Sequence, residues 1–160
     1  METKMETVYI ETTIVSYLVA RPSRDMVMAA HQEITRQWWQ HERPIYRCVA
    51  SHEVLRESSQ GDAEMSRLRG EALAGLPLLE TGDPVRRLAK EMVQRNVLPA
   101  KAISDALHVV AASWHRVDYL LTWNCRHLAN PHLQKPLRAF MAEHSLVLPE
   151  ICTPLDLAGD

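Results

Sequence analysis

Three short apolar runs divide the chain, and each is followed by longer stretches in which apolar residues recur at helical spacing. Thr7-Val8-Tyr9-Ile10, Ile45-Tyr46-Arg47-Cys48-Val49 and Tyr119-Leu120-Leu121-Thr122 carry β-branched or aromatic residues and are too short for helices, so they predict buried strands. Leu78-Leu79 and Leu146-Val147-Leu148 are weaker strand candidates. A helix is expected over Asp25 to Glu42, where Met26, Ala29, Ala30, Ile34, Trp38 and Trp39 roughly follow the helical repeat. Ser51 is placed to cap a short helix through Ser58, and Asp62 to Leu76 repeats Met65, Leu68 and Leu73. Asp83 before Pro84 predicts a capped helix start, with the helix running to about Val97 and stopping before Pro99. Ser104 to Trp114 is apolar nearly all round, and Asn130-Pro131 opens a last helix reaching about Glu143.

Strands that alternate with helices predict an α/β fold with a mainly parallel sheet covered on both faces. In such sheets ligands bind beyond the carboxyl ends of the strands. Functional residues are therefore expected just after strands, or at helix starts, along one rim. The length, 160 residues, suits a single domain, and no repeat, linker or low-complexity segment divides it.

Composition narrows the classes. With 18 Lys and Arg against 20 Asp and Glu, the net charge of −2 argues against a sequence-independent DNA coat protein. It leaves room for an enzyme that holds a short stretch of RNA near a bound cation. The local pairs Arg67/Arg69 and Arg86/Arg87 read as solvated helix faces. No apolar run approaches the roughly 18–20 residues that span a bilayer. The N-terminus shows no basic and apolar leader, so a cytoplasmic protein with no membrane partner is expected. Cys48, Cys125 and Cys152 lie far apart and read as reduced, buried or half-buried thiols rather than a disulfide or zinc framework. The glycines are isolated, which removes nucleotide-cofactor readings, and no HxxxH pair supports zinc.

The acids carry the chemistry. Glu11 directly follows the first strand, where it either faces the ligand rim or complements a helix dipole. Asp105 stands among Ala102, Ile103, Ala106, Leu107, Val109 and Val110. A carboxylate in so apolar a helix needs a partner or a cation, and Lys101 is the local candidate partner. Glu53 and Glu57 lie four apart and share a helix face, and spacing does not choose between them. Asn124 follows the third strand, either as a turn residue or as a carbonyl ligand to a hard cation, and Thr122 beside it can bond a carboxylate. His108, three residues after Asp105, reads as a core histidine satisfied by a neighbour, with orienting Asp105 or touching substrate as the alternative. Of Trp38 and Trp39, at least one is expected in the core or a dimer interface, with base stacking as the alternative. Glu11, one of the glutamate pair, Asp105 and Asn124 form an oxygen-only set that suits Mg²⁺ or Mn²⁺ rather than zinc or copper. Such a cation beside a phosphate suits phosphodiester hydrolysis.

These residues fall in a pattern that resembles the PIN domain, and within it the VapC-type toxins of toxin–antitoxin pairs. Tyr9-Ile10-Glu11-Thr12-Thr13 resembles the family's opening strand with its acid-Thr-Ser/Thr signature. Ser51 to Glu57 is similar to the second motif, a Ser followed six residues later by an acid, and this selects Glu57. Lys101 to His108 resembles the third motif around Asp105, and Leu121-Thr122-Trp123-Asn124 the last. The match covers about residues 7–155. The resemblance implies a PIN-like α/β/α sandwich of about five parallel strands and Mg²⁺- or Mn²⁺-dependent endoribonuclease activity on single-stranded RNA. It also implies a cognate antitoxin and a homodimer. Its implied site is Glu11, Glu57, Asp105 and Asn124, supported by Thr12, Thr13, Thr122 and His108. The chain departs from the pattern in having Glu11 and Asn124 where Asp is usual, which removes one charge and implies weaker binding of a second ion. Arg126 and His127 stand where many members carry an acid and an aromatic, and Arg126 becomes a candidate phosphate contact. The missing acid also favours an alternative, a catalytically weak or inactive PIN-like module that binds RNA or a protein. A receiver-like domain ranks below both, because no clear phospho-acceptor Asp follows a strand.

Overall fold

The first apolar run forms β1 (Thr7–Ile10), and Val8, Tyr9 and Ile10 are wholly buried, as expected of a central strand covered on both faces. In the computed structural model, which describes residues 4–159, β1 pairs in parallel with β2 (Arg47–Ser51) on one side and β4 (Tyr119–Leu121) on the other. β3 (Leu78–Leu79) extends the sheet beyond β2, and β5 (Glu150–Cys152) extends it beyond β4. The result is a five-stranded, all-parallel sheet in the order β3-β2-β1-β4-β5. Parallel neighbours need long crossovers, and helices supply them. These are α1 (Thr12–Val19), α2 (Met26–Gln37), α3 (His52–Ser58), α4 (Ala63–Leu73), α5 (Asp83–Gln94), α6 (Ile103–Trp114) and α7 (Pro131–Glu143). α1 packs on α2, α3 and α4, while α6 packs on α5 and α3. Among the described residues no helix is long and apolar enough to cross a membrane.

The strand order matters for function. The chain lays down β1, β2 and β3 outward in one direction, then returns past β1 to lay down β4 and β5 in the other. The crevice between β1 and β4 is therefore the switch point, where the connections at the carboxyl rim diverge. Glu11 leaves β1 and Thr122 leaves β4 at this place. The Glu11 amide donates to the Leu121 carbonyl at 3.1 Å, which sets the two exits side by side.

Several boundaries differ from the sequence expectation, each for a local reason. The last strand lies at Glu150–Cys152 rather than Leu146–Leu148. Ser145 closes α7 with φ 59, and the Leu146 amide bonds back to the Met141 carbonyl, so Leu146 belongs to the helix's C-terminal lock. The same lock ends α5 at Gln94 instead of Val97, with Asn96 at φ 57 and Val97 bonded to Met92. A 3-10 turn over Arg43–Ile45 contains Pro44, which delays β2 to Arg47. The helix expected over 25–42 becomes a π-helical turn at Trp38–Glu42. That turn buries Trp38, whose Nε1 donates to Leu157 O, and leaves Trp39 half-buried beneath the Arg43 guanidinium. Gly82, not Asp83, caps α5, and Asp83 pairs instead with Arg86. Ser51 caps its helix as expected, and Asp62 and Asn130 also cap theirs. Arg69 is not merely solvated: it donates to the Ser58 and Gln60 carbonyls and ties α4 to the end of α3. Of the three free thiols, Cys125 is exposed rather than buried or half-buried.

Candidate metal centre

Glu11 ends β1 and caps α1, a position that turns its side chain back over the rim. It is nearly inaccessible, at 3% exposure. Its Oε1 accepts from Thr13 Oγ1, from Thr13 N at 3.1 Å and from Thr122 Oγ1 at 2.6 Å. The two threonine hydroxyls are themselves fixed, since Thr13 Oγ1 accepts from Trp123 N and Thr122 Oγ1 from Asn124 N. Burial pushes the Glu11 carboxyl above the usual range, and His108 and the hydroxyls only partly offset this.

Glu57 reaches the same place from the last turn of α3. Its Oε1 accepts from Thr12 Oγ1 and from His108 Nε2, both at 2.6 Å. Burial acts to raise its carboxyl, but the His108 bond and charge, with Thr12, outweigh it and hold Glu57 below the usual range. His108, from α6, is fully buried. Burial disfavours its charged form, yet Glu57 and the charges of Glu11 and Asp105 prevail and raise it. One ligand atom from each of Glu11, Glu57 and His108 lies within 4.8 Å of the others, so this buried group could hold a metal ion. Both glutamates spend one oxygen, Oε1, on protein donors. Among the described residues neither Oε2 has a protein hydrogen-bond partner.

Glu53, the other glutamate on α3, goes elsewhere. It takes both arms of Arg56 and the Ser104 hydroxyl. Burial opposes its ionisation, and the Arg56 and Ser104 bonds override that and lower it. Of the pair left open by spacing, Glu57 and not Glu53 lies with Glu11 and His108.

Asp105 and Asn124 form an adjoining cluster rather than part of the glutamate group. Asp105 lies one turn before His108 on α6, and its partners are not Lys101, which is exposed, but Asn124 and His127. Asn124 Nδ2 donates to Oδ1 at 3.1 Å, and His127 Nδ1 lies 3.1 Å from Oδ2. The Asn124 amide oxygen, offered by sequence to a cation, accepts instead from His127 N at 3.0 Å. Asn124 thus holds Asp105 in place through its donor end. His108 orients Glu57 and not Asp105. Arg126 is exposed at the turn between Asn124 and His127.

Sequence reasoning missed two contributors. Tyr9 read only as strand core, yet its hydroxyl touches both His108 and Ser51. His127 read only as a departure from the family pattern, and the sole signal was its place three residues after Asn124, in reach of a turn bond. A cavity of about 460 Å³ opens elsewhere, at the amino ends of β4 and β5 beside Val117, Asp118 and Leu146. Of its acids, Asp118 accepts from Thr7 N through Oδ2, and among the described residues neither Asp118 nor Glu150 belongs to a group of three possible metal ligands, as Glu11 and Glu57 do. No protein-family model matches the chain, and no curated protein matches it.

Proposed function

We propose that this chain is a Mg²⁺- or Mn²⁺-dependent endoribonuclease that hydrolyses phosphodiester bonds of single-stranded RNA. The observation that carries the reading is the pair of glutamates at the β1/β4 switch point, Glu11 buried and Glu57 half-buried, each bonded through Oε1 and free at Oε2. One ligand atom of each lies within 4.8 Å of the other, and two ionised carboxylates so close repel one another unless a proton or a cation joins them; a carboxylate pair suits a hard cation. Glu11 and Glu57 would hold the ion, and Asp105 adds a third negative charge at the same rim. A bound ion would polarise the scissile phosphate and neutralise the charge that develops on it. The protein's own part is positional: Thr13 and Thr122 fix Glu11, Thr12 and His108 fix Glu57, and Asn124 and His127 fix Asp105. Arg126 is exposed near Asp105 and is assigned to the RNA backbone.

The likeness of four segments to the PIN domain supports the same reading and extends it to a VapC-type toxin with an antitoxin partner, a homodimeric state and a cytoplasmic setting. One observation favours a second reading. The Asn124 oxygen is engaged by His127 N and both Asp105 oxygens are bonded by neighbours, which suits a PIN-like module that binds RNA without cutting it. Purified protein incubated with single-stranded RNA and Mn²⁺ separates them. The nuclease reading expects cleavage that Asp105→Asn reduces at least roughly tenfold. RNA that is bound but never cut, or cleavage untouched by Asp105→Asn, contradicts it.

A further inference from the structure

Behind Glu57 lies a buried chain of polar groups drawn from three further elements. Ser51 Oγ, at the end of β2, is 2.6 Å from Tyr9 Oη on β1. Tyr9 Oη is 2.6 Å from His108 Nδ1 on α6, and His108 Nε2 is 2.6 Å from Glu57 Oε1 on α3. Ser51, Tyr9 and His108 are all wholly buried. A polar chain of this kind inside a core is costly unless every member is satisfied, and here each is.

The direction of the bonds follows from the ends. An ionised carboxylate only accepts, so His108 Nε2 carries the proton that faces Glu57. Neutral His108 then presents a lone pair at Nδ1, which must receive the Tyr9 proton, while Tyr9 Oη accepts from Ser51. Were His108 charged, Nδ1 would donate to Tyr9 Oη, and the Tyr9 proton would turn to Ser51 Oγ. Nε2–H stays on Glu57 in both states, and with His108 neutral every proton of the chain has an acceptor. Burial keeps the Tyr9 phenol far from ionising, which preserves it as a donor.

We propose that Tyr9, seated by Ser51, is a positioning residue: its hydroxyl bonds His108 Nδ1 and, through His108, holds Glu57 Oε1 so that Oε2 is left for a divalent cation. The inference rests on the metal reading above and adds to it the residues that preorganise one ligand. Partners one step behind a metal ligand set its orientation.

Tyr9→Phe keeps the ring in the core and removes only the hydroxyl. Two measurements test it. Titration with Mn²⁺ alone is expected to show affinity weakened about tenfold, the lower end for loss of such a partner. In metal-free protein, ¹⁵N spectra of the imidazole are expected to show His108 as the Nε2–H tautomer in both proteins, with the Nδ1 resonance moved in Tyr9→Phe by loss of the Tyr9 bond. Ser51→Ala is expected to move both readouts the same way by less, and it carries the test if Tyr9→Phe does not fold. Mn²⁺ affinity within about twofold of wild type, or unchanged His108 nitrogen shifts, overturns the proposal. Wild-type protein that binds no Mn²⁺ defeats the metal reading, while the nitrogen shifts still decide whether Tyr9 sets His108.

Discussion

Glu53 and Glu57 stand one turn apart on α3, and they meet opposite surroundings. Glu53 faces a guanidinium and a hydroxyl, and both of its oxygens are matched. Glu57 faces a hydroxyl and a histidine that converge on one oxygen, with the equally one-sided Glu11 across the crevice. The first arrangement neutralises a charge within the protein. The second converges two donors on one oxygen and leaves the other without a protein partner among the described residues, which is the proposed seat of a cation. The contrast teaches how to tell a structural acid from a functional one, by counting which oxygens the fold has already used.

The strongest way to break the comparison is to exchange the two fates. Glu57→Gln is expected to lower RNA cleavage by roughly 100-fold or more, while Glu53→Gln leaves it within a few-fold, as for loss of a direct ligand against loss of a remote ion pair. Equal losses in the two variants would erase the distinction. A smaller effect is expected from the pH. Because burial raises Glu11, a cation must displace its proton as the pH falls through that raised range. Mn²⁺ affinity should then fall about tenfold per pH unit, with proton release visible as buffer-dependent heat. Heat that does not depend on the buffer would contradict a protonatable Glu11 at the site.

The smallest effects are on stability. A carboxyl whose folded-state range lies above its unfolded one destabilises the metal-free fold as the pH rises through the gap. Glu11→Gln should therefore stabilise metal-free protein at neutral pH by about 1–2 kcal/mol, seen as a higher Tm, while abolishing cation binding. Glu53 has the opposite sign. Its lowered carboxyl contributes stability above the ordinary range that is lost as the pH falls. Glu53→Gln should cost less than about 1 kcal/mol, because Arg56 is half exposed. A destabilised Glu11→Gln would show that Glu11 is a structural acid after all.

Much of this was legible in the residues. β1 and β4 were readable because their apolar runs are buried on both faces, and Glu11 after the first and Asn124 after the other marked the rim. Asp105 was readable from its apolar helix, since a lone carboxylate there needs a partner. Its true partners were not, because they arrive from the β4 exit through a turn whose bonds depend on tertiary position. Glu57 could be preferred over Glu53 only by resemblance, since the Ser104 and His108 that separate them lie about fifty residues away in the chain. The Tyr9 hydroxyl was hidden for a related reason, as a tyrosine in a buried strand reads as apolar volume until its neighbours are known. β5 was misplaced because Leu146 and Leu148 are more apolar than Glu150–Cys152, while strand identity at a sheet edge is set by pairing with β4.

The central claim is that Glu11 and Glu57 together form a divalent cation site. Its most direct test is a calorimetric titration of Mn²⁺ into wild-type protein, Glu57→Gln and Glu53→Gln at one pH. The account predicts saturable binding to wild type, retained in Glu53→Gln and lost in Glu57→Gln. No binding to wild type, or binding that survives in Glu57→Gln, would contradict it.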